Sequence, residues 1–319
     1  MGQIELRKII LVTESNQLHD KVAATKSGGD NVVRVKKTNS LYFDYSGLIP
    51  FFIFSFIFIA IPTFSVVFLA FRGNFGEWTL ENLRVALREE YLTSLIGSLK
   101  LGFFSAITGS ILGFFTAYAV AISGRKRLQR VVSTASGVFA NTGGVPLAFF
   151  FIAAVGNYGL VTVNLYKIGI DIYSGSFTLF GFSGLILVYL YFQIPLMVIV
   201  TYPAIEGLKN EWREAAINLG ATKVIFWRYI GIPLLVPAVS GAFLLLFANA
   251  FAAYATANVL TSGTLPLLPV QIGSLVNGNV IADQTNVGMA MGLEMIIVVA
   301  IAMAGYTYLD RRTSKWRKR

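Results

Sequence analysis

With 319 residues, the chain is long enough for two soluble domains, but 55% of its residues are hydrophobic and only 13% are charged, with a mean hydropathy of +0.67. A water-facing surface cannot cover so much apolar composition, so the sequence predicts an all-α protein integral to a membrane. The chain has no cysteine and a single histidine, His19, which excludes disulfides, iron–sulfur clusters, thiolate metal sites and histidine-based triads. We therefore expect neither a catalytic centre nor a metal site.

The net charge of +10 is distributed as in a membrane protein rather than as in a nucleic-acid-binding protein. All but five of the 26 lysines and arginines lie in four blocks, at residues 1–46, 125–130, 209–228 and 311–319. Nearly charge-free segments separate these blocks, and the positive-inside rule places such blocks in the cytoplasm. Some of these cations can also hold anionic lipid headgroups. Both termini are therefore predicted to be cytoplasmic.

In chain order, a polar cytoplasmic tail at residues 1–46 precedes a membrane domain at residues 47–310, and a short basic tail at residues 311–319 follows. About 20 apolar residues cross the roughly 30 Å hydrocarbon core as a helix, so each long apolar segment can span it. Six transmembrane helices give a consistent topology, at about residues 48–71, 92–122, 131–155, 180–205, 232–259 and 287–309.

Two of these spans carry small or polar residues that predict how they pack. Gly102, Gly109 and Gly113 lie along one face of the second span, a pattern that favours close approach of helices in lipid. The third span contains residues 141–146, a polar, glycine-rich segment that is broken by proline. Such a patch is tolerated at membrane depth only against protein or a water-filled cavity.

The charged loop at residues 206–231, between the fourth and fifth spans, has a helical pattern of its own. A helix beginning near Glu206 places an apolar face against the protein's own helix ends and offers the opposite face to a partner. The apolar face consists of Leu208, Trp212, Ala215, Ala216 and Leu219, and the polar face of Asn210, Arg213, Glu214 and Asn218. Gly220 suits the left-handed position that ends a helix, Thr222 can cap a second one, and Pro233 fits the first turn of the fifth span.

This loop resembles the cytoplasmic signature loop of ABC importer permeases. The family pattern is Glu-Ala-Ala, three residues, Gly, nine residues and Ile-x-Leu-Pro, and the sequence matches every spacing, with Ile232 where leucine is usual. Further similarity at residues 78–82, 98–101 and 191–195 extends the resemblance over about residues 45–312. It implies a type I ABC importer permease fold with a cytoplasmic coupling helix, whose coupling residues would be Arg213, Glu214, Ala215, Ala216, Ile217 and Gly220.

The resemblance also implies the partners. In this family the loop sits in a cleft of an ATP-hydrolysing subunit and moves with it, whereas the 319 residues contain no Gly-x4-Gly-Lys-Ser/Thr phosphate loop. ATP and Mg would therefore be bound by a partner chain, and this chain would be a transport subunit rather than an enzyme. The expected assembly contains a second, different permease chain, two ATPases and an extracytoplasmic substrate-binding protein. It would lie in a bacterial or archaeal inner membrane.

The substrate is less closely defined than the mechanism. The chain looks most like the spermidine/putrescine, opine and phosphonate branch, while permeases for sugars, ferric ion, thiamine and oxyanions share the same core. Polar residues within the spans are candidates for the translocation path, namely Asn141, Gln193, Asn249, Tyr254, Asn258 and Glu294. Each of the uncharged side chains could equally bond to a neighbouring helix.

Glu294 is the most informative of these candidates, because an acid at the centre of a membrane helix costs about 2.5–3.5 kcal/mol. It would attract a cationic substrate such as a polyamine; alternatively it pairs with another helix or lies near the outer end of its span. The main rival function is a secondary transporter driven by an ion gradient. Such a protein would carry acids or arginines in several spans, together with inverted repeats.

Overall fold

A computed structural model describes residues 48–73, 75–277 and 284–314 of the chain. This described part is almost entirely helical, and its one isolated β-bridge joins Arg72 to Trp78. The tail predicted at residues 1–46 lies outside it, as do residues 315–319 of the basic tail. Six segments are long and apolar enough to cross a membrane, namely Ile49–Ala70, Glu89–Ile122, Val145–Lys167, Phe182–Glu206, Lys223–Phe251 and Thr285–Tyr308. The predicted all-α membrane fold is confirmed.

The chain divides at Ile59 into two units. In the first unit, the described residues form helix α1 (Ile49–Ser55) and continue into a π-helical turn, Phe56–Ala60. No residue of α1 is buried, and its phenylalanines and isoleucines are exposed on all sides. A helix that is apolar all round in this way suits a lipid environment.

The second unit contains the remaining described helices, several of which begin with a proline in the first turn, where the missing N–H costs nothing. In chain order they are α2 (Ile61–Ala70), α3 (Glu81–Ala86), α4 (Glu89–Ile122), α5 (Lys126–Ala140), α6 (Val145–Val155), α7 (Leu160–Lys167), α8 (Phe182–Glu206), α9 (Asn210–Asn218), α10 (Lys223–Phe226), α11 (Ile232–Phe251), α12 (Ala255–Thr261), α13 (Leu268–Val276) and α14 (Thr285–Ser314). A second π-helical turn, Trp227–Gly231, joins α10 to α11.

The third and fifth spans differ from the single helices that the sequence predicts at about residues 131–155 and 232–259. Helix α5 ends at Ala140, and α6 begins at Val145 after a break in which Gly144 has a φ of 76°. That conformation favours glycine, and Pro146 in the first turn of α6 prevents a continuous helix through the break. The apolar segment long enough to span is therefore 145–167, which combines α6 and α7. Similarly, α11 ends at Phe251 and α12 starts at Ala255.

Helices α4, α8 and α11 pack side by side, and the glycines of α4 set how closely they approach. All three predicted glycines are buried. A Cβ at Gly109 would lie 2.9 Å from the Cβ of Gln193, and one at Gly113 would lie 2.5 Å from the Cβ of Met197 and 2.8 Å from the carbonyl oxygen of Ile194. The prediction that these small residues allow close helix packing is confirmed.

Replacing Gly113 with leucine is expected to abolish the folded membrane domain, because the new side chain meets backbone of α8 that cannot move aside. The measurement is the fraction of monodisperse protein in detergent, followed by its thermal unfolding. Gly305→Leu is the control, since a Cβ there meets nothing within 4 Å and the substitution gains the same helix propensity. Equal yields of the two variants would contradict the close approach of α4 and α8.

Candidate functional site

The segment between α8 and α11 folds as two short helices joined by a fixed turn. Helix α9 ends at Asn218, Leu219 is its C-cap, and Gly220 follows with a φ of 80°. The Gly220 amide donates to the carbonyl of Ile217 at 2.8 Å, and the Ala221 amide donates to the carbonyl of Ala216 at 2.9 Å. These two bonds form the Schellman motif, which ends a helix at a left-handed residue. The predicted position of Gly220 is confirmed.

The second short helix, α10, is capped as the sequence predicts. The Thr222 hydroxyl accepts a hydrogen bond from the Ile225 amide at 3.3 Å. Phe226 is buried, and the Trp227 ring packs against the Tyr118 ring of α4 with centroids 5.6 Å apart. Because α10 continues through the π-helical turn into α11, a displacement of α9 and α10 would reach a membrane span directly.

The start of the coupling helix is not where the sequence predicts it. Helix α8 continues to Glu206, and α9 begins only at Asn210, after Lys209 adopts an extended conformation. Leu208 lies in the intervening link and packs against the apolar cluster that contains Ile205. The link separates α9 from the span, so the segment is a distinct helix rather than an extension of the fourth span.

The predicted packing of the segment's apolar face against the protein's own helix ends holds for Leu208 and Ala216 but not for Trp212, Ala215 and Leu219. Ala216 is the buried residue of this helix, whereas Leu219 is 87% exposed, Ile217 54% and Trp212 40%, and Ala215 is exposed as well. The amphipathic pattern is real, but most of its apolar side is not covered by the described residues. It is left open together with Val224 of α10, which is 74% exposed.

Charged side chains border this exposed apolar surface. Arg213 and Glu214 are both exposed, and within the described residues neither forms an ion pair. Of the coupling residues predicted by resemblance, Ala216 packs inward, Gly220 ends the helix, and the other four are solvent-facing. The combination of a fixed turn, open apolar side chains and unpaired charges suits a docking surface for another protein. We call residues 210–225 the coupling surface.

Most of the predicted path residues lie near a second feature, where two helix breaks meet. The Thr256 hydroxyl donates to the carbonyl of Gly144 at 3.0 Å, and this bond joins the break before α6 to the start of α12. The Tyr189 hydroxyl of α8 donates to the carbonyl of Ala253, in the break after α11, at 3.2 Å. We call residues 141–144 and 252–254 the paired breaks. Non-helical backbone of this kind is tolerated in a membrane where protein groups satisfy its hydrogen bonds.

The predicted residues are placed around the paired breaks as follows. Asn141 lies in the first break and is exposed, with its side-chain amide donating to the Gly137 carbonyl at 2.8 Å. Tyr254 lies in the second break, 39% exposed, while Asn249 and Asn258 lie within about one helical turn of it. Asn249 is exposed and Asn258 is partly buried.

Gln193 is fully buried between α4 and α8, one helical turn beyond Tyr189. Its Nε2 donates to the Ser105 hydroxyl at 2.9 Å, whereas its Oε1 has no hydrogen-bond partner in the structure. A buried acceptor without a partner costs about 1–3 kcal/mol. Gln193 therefore links α4 and α8 by a hydrogen bond, and its Oε1 can still accept another one.

Glu294 lies apart from the paired breaks, on α14. It follows the fully buried Ala290 and Met291 by four and three residues, so it lies on the face that packs against α2, α11 and α13. Its side chain is only partly buried, and within the described residues it forms no ion pair. Among those residues it is the one acid in the middle of a span, since the others in spans are at the ends of α4 and α8.

Thr256 and Tyr189 are the residues that sequence analysis missed. Tyr189 could have been found, because a tyrosine in a long apolar run needs a partner for its hydroxyl. Thr256 gives no such signal, since a threonine in a membrane helix usually bonds to its own helix. Its partner Gly144 lies 112 positions away along the chain.

The chain resembles known transport proteins in sequence. Residues 109–315 match the family model described as binding-protein-dependent transport system inner membrane component. The spermidine/putrescine transport system permease protein PotC of Haemophilus influenzae is 25% identical over 244 residues, which cover 76% of this chain and 84% of that protein. A probable sulfate transport system permease protein, cysT of Chlorella vulgaris, is 24% identical over 207 residues, covering 62% of this chain and 70% of that protein.

The fold resembles solved structures as well. A chain in the crystal structure of a bacterial ABC transporter that imports the acidic polysaccharide alginate matches with a TM-score of 0.66 at 18% identity. The match covers 85% of this chain and 96% of that one. The family match spans the coupling surface and the paired breaks, so both candidate features lie in the part of the chain that is shared.

Proposed function

Since the chain belongs to the family of binding-protein-dependent transport system inner membrane components and is a permease subunit of an ABC importer, we propose how it is driven and what it carries. Its coupling surface docks onto a separate ATP-hydrolysing subunit. Its translocation path carries a small organic cation of the polyamine class.

The observation that carries the first part is the exposure of Leu219 beside a fixed glycine turn. Fully burying an aliphatic side chain contributes about 1.5–3 kcal/mol. If the ATPase buries Leu219, Ile217 and Val224 more fully in one transporter state than in the other, the difference in free energy approaches the order of the ~5.5 kcal/mol that moves a two-state transporter from 1:99 to 99:1.

The charges of the coupling surface give the docking its orientation. Arg213 and Glu214 stand beside the apolar side chains, and a partner groove with complementary charges would fix the register of α9. The Schellman turn at Gly220 holds α9 and α10 together as one body. Because α10 continues into α11, movement of the ATPase groove would be passed to the fifth span.

The assembly that follows contains this chain, a second permease of different sequence, two ATPases that bind ATP and Mg, and an extracytoplasmic binding protein that delivers the substrate. The protein is a multi-pass inner-membrane permease. With the coupling surface on the cytoplasmic side, the alternation of the spans would bring both chain termini to the cytoplasm, which the basic blocks support.

Two independent features support a cationic substrate. Glu294 places a carboxylate in the middle of a span without an ion pair among the described residues. Placing an acid inside a membrane span costs free energy, so such acids usually bind a substrate or belong to a proton path. The relative from Haemophilus influenzae is named for spermidine and putrescine, both of which are cations. A sulfate importer is the second candidate, because a relative with that name covers 62% of the chain.

Uptake by the reconstituted importer tests the proposal. The complex, with its ATPase and binding protein, is placed in proteoliposomes, and uptake of radiolabelled spermidine, putrescine and sulfate is measured with and without internal ATP. We expect ATP-dependent uptake of the polyamines that requires the binding protein. Uptake of sulfate alone would replace the polyamine class by the oxyanion class. Uptake driven by an ion gradient without the ATPase would contradict the coupling mechanism itself.

A further inference from the structure

A separate apolar crevice opens between α4, the π-helical turn at Trp227–Gly231 and α11. It has a volume of about 440 Å³, and every residue that lines it is apolar or aromatic. One wall is formed by Phe114, Phe115 and Tyr118 of α4, and the other includes Trp227, Ile232 and Val236. Neither the coupling surface nor the paired breaks use this crevice.

The crevice has the length of one membrane leaflet. Its lining starts at Trp227, directly after the coupling surface, and the last lining residue on α11 is Val239, twelve positions further along the chain. At 1.5 Å per residue this is about 18 Å, close to half of the roughly 30 Å hydrocarbon core. Since the coupling surface is cytoplasmic, the crevice faces the inner leaflet.

Cations follow both walls of the crevice closely along the chain. Arg228 is exposed and lies four residues before Ile232, on the same helical face as the lining of α11. On the other wall, α4 ends at Ile122, one turn beyond Tyr118, and the basic segment 125–127 follows directly. The three side chains of that segment line a common recess with Leu128 and Val131.

The chain segments that contain these cations are free of acidic residues. The sequence has no aspartate or glutamate between Tyr91 and Ile170 or between Ala215 and Ala282. Within the described residues, neither Arg228 nor the basic segment 125–127 forms an ion pair. The first turn of α5, which adds partial positive charge of its own, contains no acidic residue either. The region thus combines an apolar crevice with flanking cations that form no ion pair among the described residues.

We propose that the crevice is a binding site for an anionic phospholipid of the inner leaflet. One acyl chain occupies the slot between α4 and α11, and the phosphate lies between Arg228 and the basic segment 125–127. Tyr118 and Trp227 stand at the level where aromatic side chains border the headgroups. An apolar protein segment would complement the lining of the crevice but would leave the cations without a counter-charge. An anionic lipid complements the lining with its acyl chain and the cations with its phosphate.

The site has a mechanical consequence, because Trp227 belongs both to the crevice wall and to the joint between the coupling surface and α11. Its ring packs directly over Gly231, with no room for a side chain at that position. An acyl chain against Trp227 would hold this joint in one position. The lipid would therefore stiffen the path by which force enters the fifth span.

Native mass spectrometry of the intact importer complex tests this site. The complex is purified from nanodiscs containing equal parts of phosphatidylglycerol and phosphatidylcholine, and retained lipids are counted. We expect retention of phosphatidylglycerol over phosphatidylcholine, with about a fivefold loss of phosphatidylglycerol for each cation removed in Arg228→Gln and Arg125→Gln.

Val236→Trp fills the crevice with a large side chain and is expected to abolish lipid retention although every cation remains. Lys167→Gln, a cation remote from the crevice in the sequence, is the control and should leave the count unchanged.

Three results would overturn the site. They are equal retention of the two lipids, an unchanged count in Val236→Trp, and a loss of the second permease instead of lipid in that variant, which would show that a protein chain occupies the crevice. Lipid retention is measured without substrate or nucleotide, so its outcome is independent of the polyamine and coupling proposals.

Discussion

Leu219→Asp is expected to release the ATPase from the permease and to abolish ATP-driven uptake, while leaving the permease folded. Leu219 is 87% exposed, so the protein's own packing loses nothing when the side chain changes. In the complex, however, the new carboxylate would be buried in an apolar groove. Loss of an interface hot spot costs about 2–4 kcal/mol, which corresponds to a loss of affinity of roughly 30-fold or more.

The measurement is the amount of ATPase that co-purifies with tagged permease, followed by uptake in proteoliposomes. Leu80→Asp is the matched control, because Leu80 is also exposed (60%) but lies between the first two spans, on the other side of the membrane. The control should retain the ATPase at the level of the original protein. If Leu219→Asp also retains it and transports normally, the coupling surface has been assigned to the wrong residues.

Gly220→Trp tests the turn within the coupling surface. A side chain at a φ of 80° is strained by about 1–3 kcal/mol, and the Schellman bonds would weaken as the turn relaxes. A partly uncoupled importer is the expected outcome, in which ATP hydrolysis continues with reduced uptake. Normal uptake together with normal hydrolysis would contradict a mechanical role for the turn.

The coupling turn could be predicted because its determinants are local. Gly220 adopts the left-handed conformation that its position suggests, and Thr222 accepts the hydrogen bond expected of a cap. The exposure of Leu219 could not be predicted, since an amphipathic pattern states which side is apolar but not which molecule covers it. A face that packs on its own protein and a face that docks on another have the same sequence periodicity.

The third span shows the opposite limit. The sequence indicates the break at residues 141–146, but the predicted span at about residues 131–155 runs across it. Hydropathy alone does not distinguish one long helix from two shorter ones. The bond that fixes the break comes from Thr256, 112 positions away. Local propensity contains no information about such a contact. The residues around the paired breaks were identified by polarity, while their arrangement follows from long-range packing.

Glu294→Gln is expected to reduce uptake of a polyamine by roughly 10- to 150-fold at low substrate concentration. A hydrogen bond to a charged group contributes about 1.5–3 kcal/mol, and glutamine keeps the shape of the side chain while removing its charge. The location of Glu294 on the packed face of α14, after Ala290 and Met291, makes an isosteric change necessary, since a smaller residue would also leave a cavity.

Uptake of radiolabelled spermidine over a range of concentrations separates the two roles of this acid. If Glu294 binds substrate, the half-saturating concentration of spermidine rises in Glu294→Gln. Glu294→Asp should recover part of the lost uptake because it restores the charge. Glu89 is an exposed acid at the start of α4, and Glu89→Gln should leave uptake unchanged. A structural acid would instead give Glu294→Gln and the original protein the same uptake, or would lower the yield of assembled importer. Either of those results would remove the carboxylate from the path, and the case for a cationic substrate would then rest on sequence similarity alone.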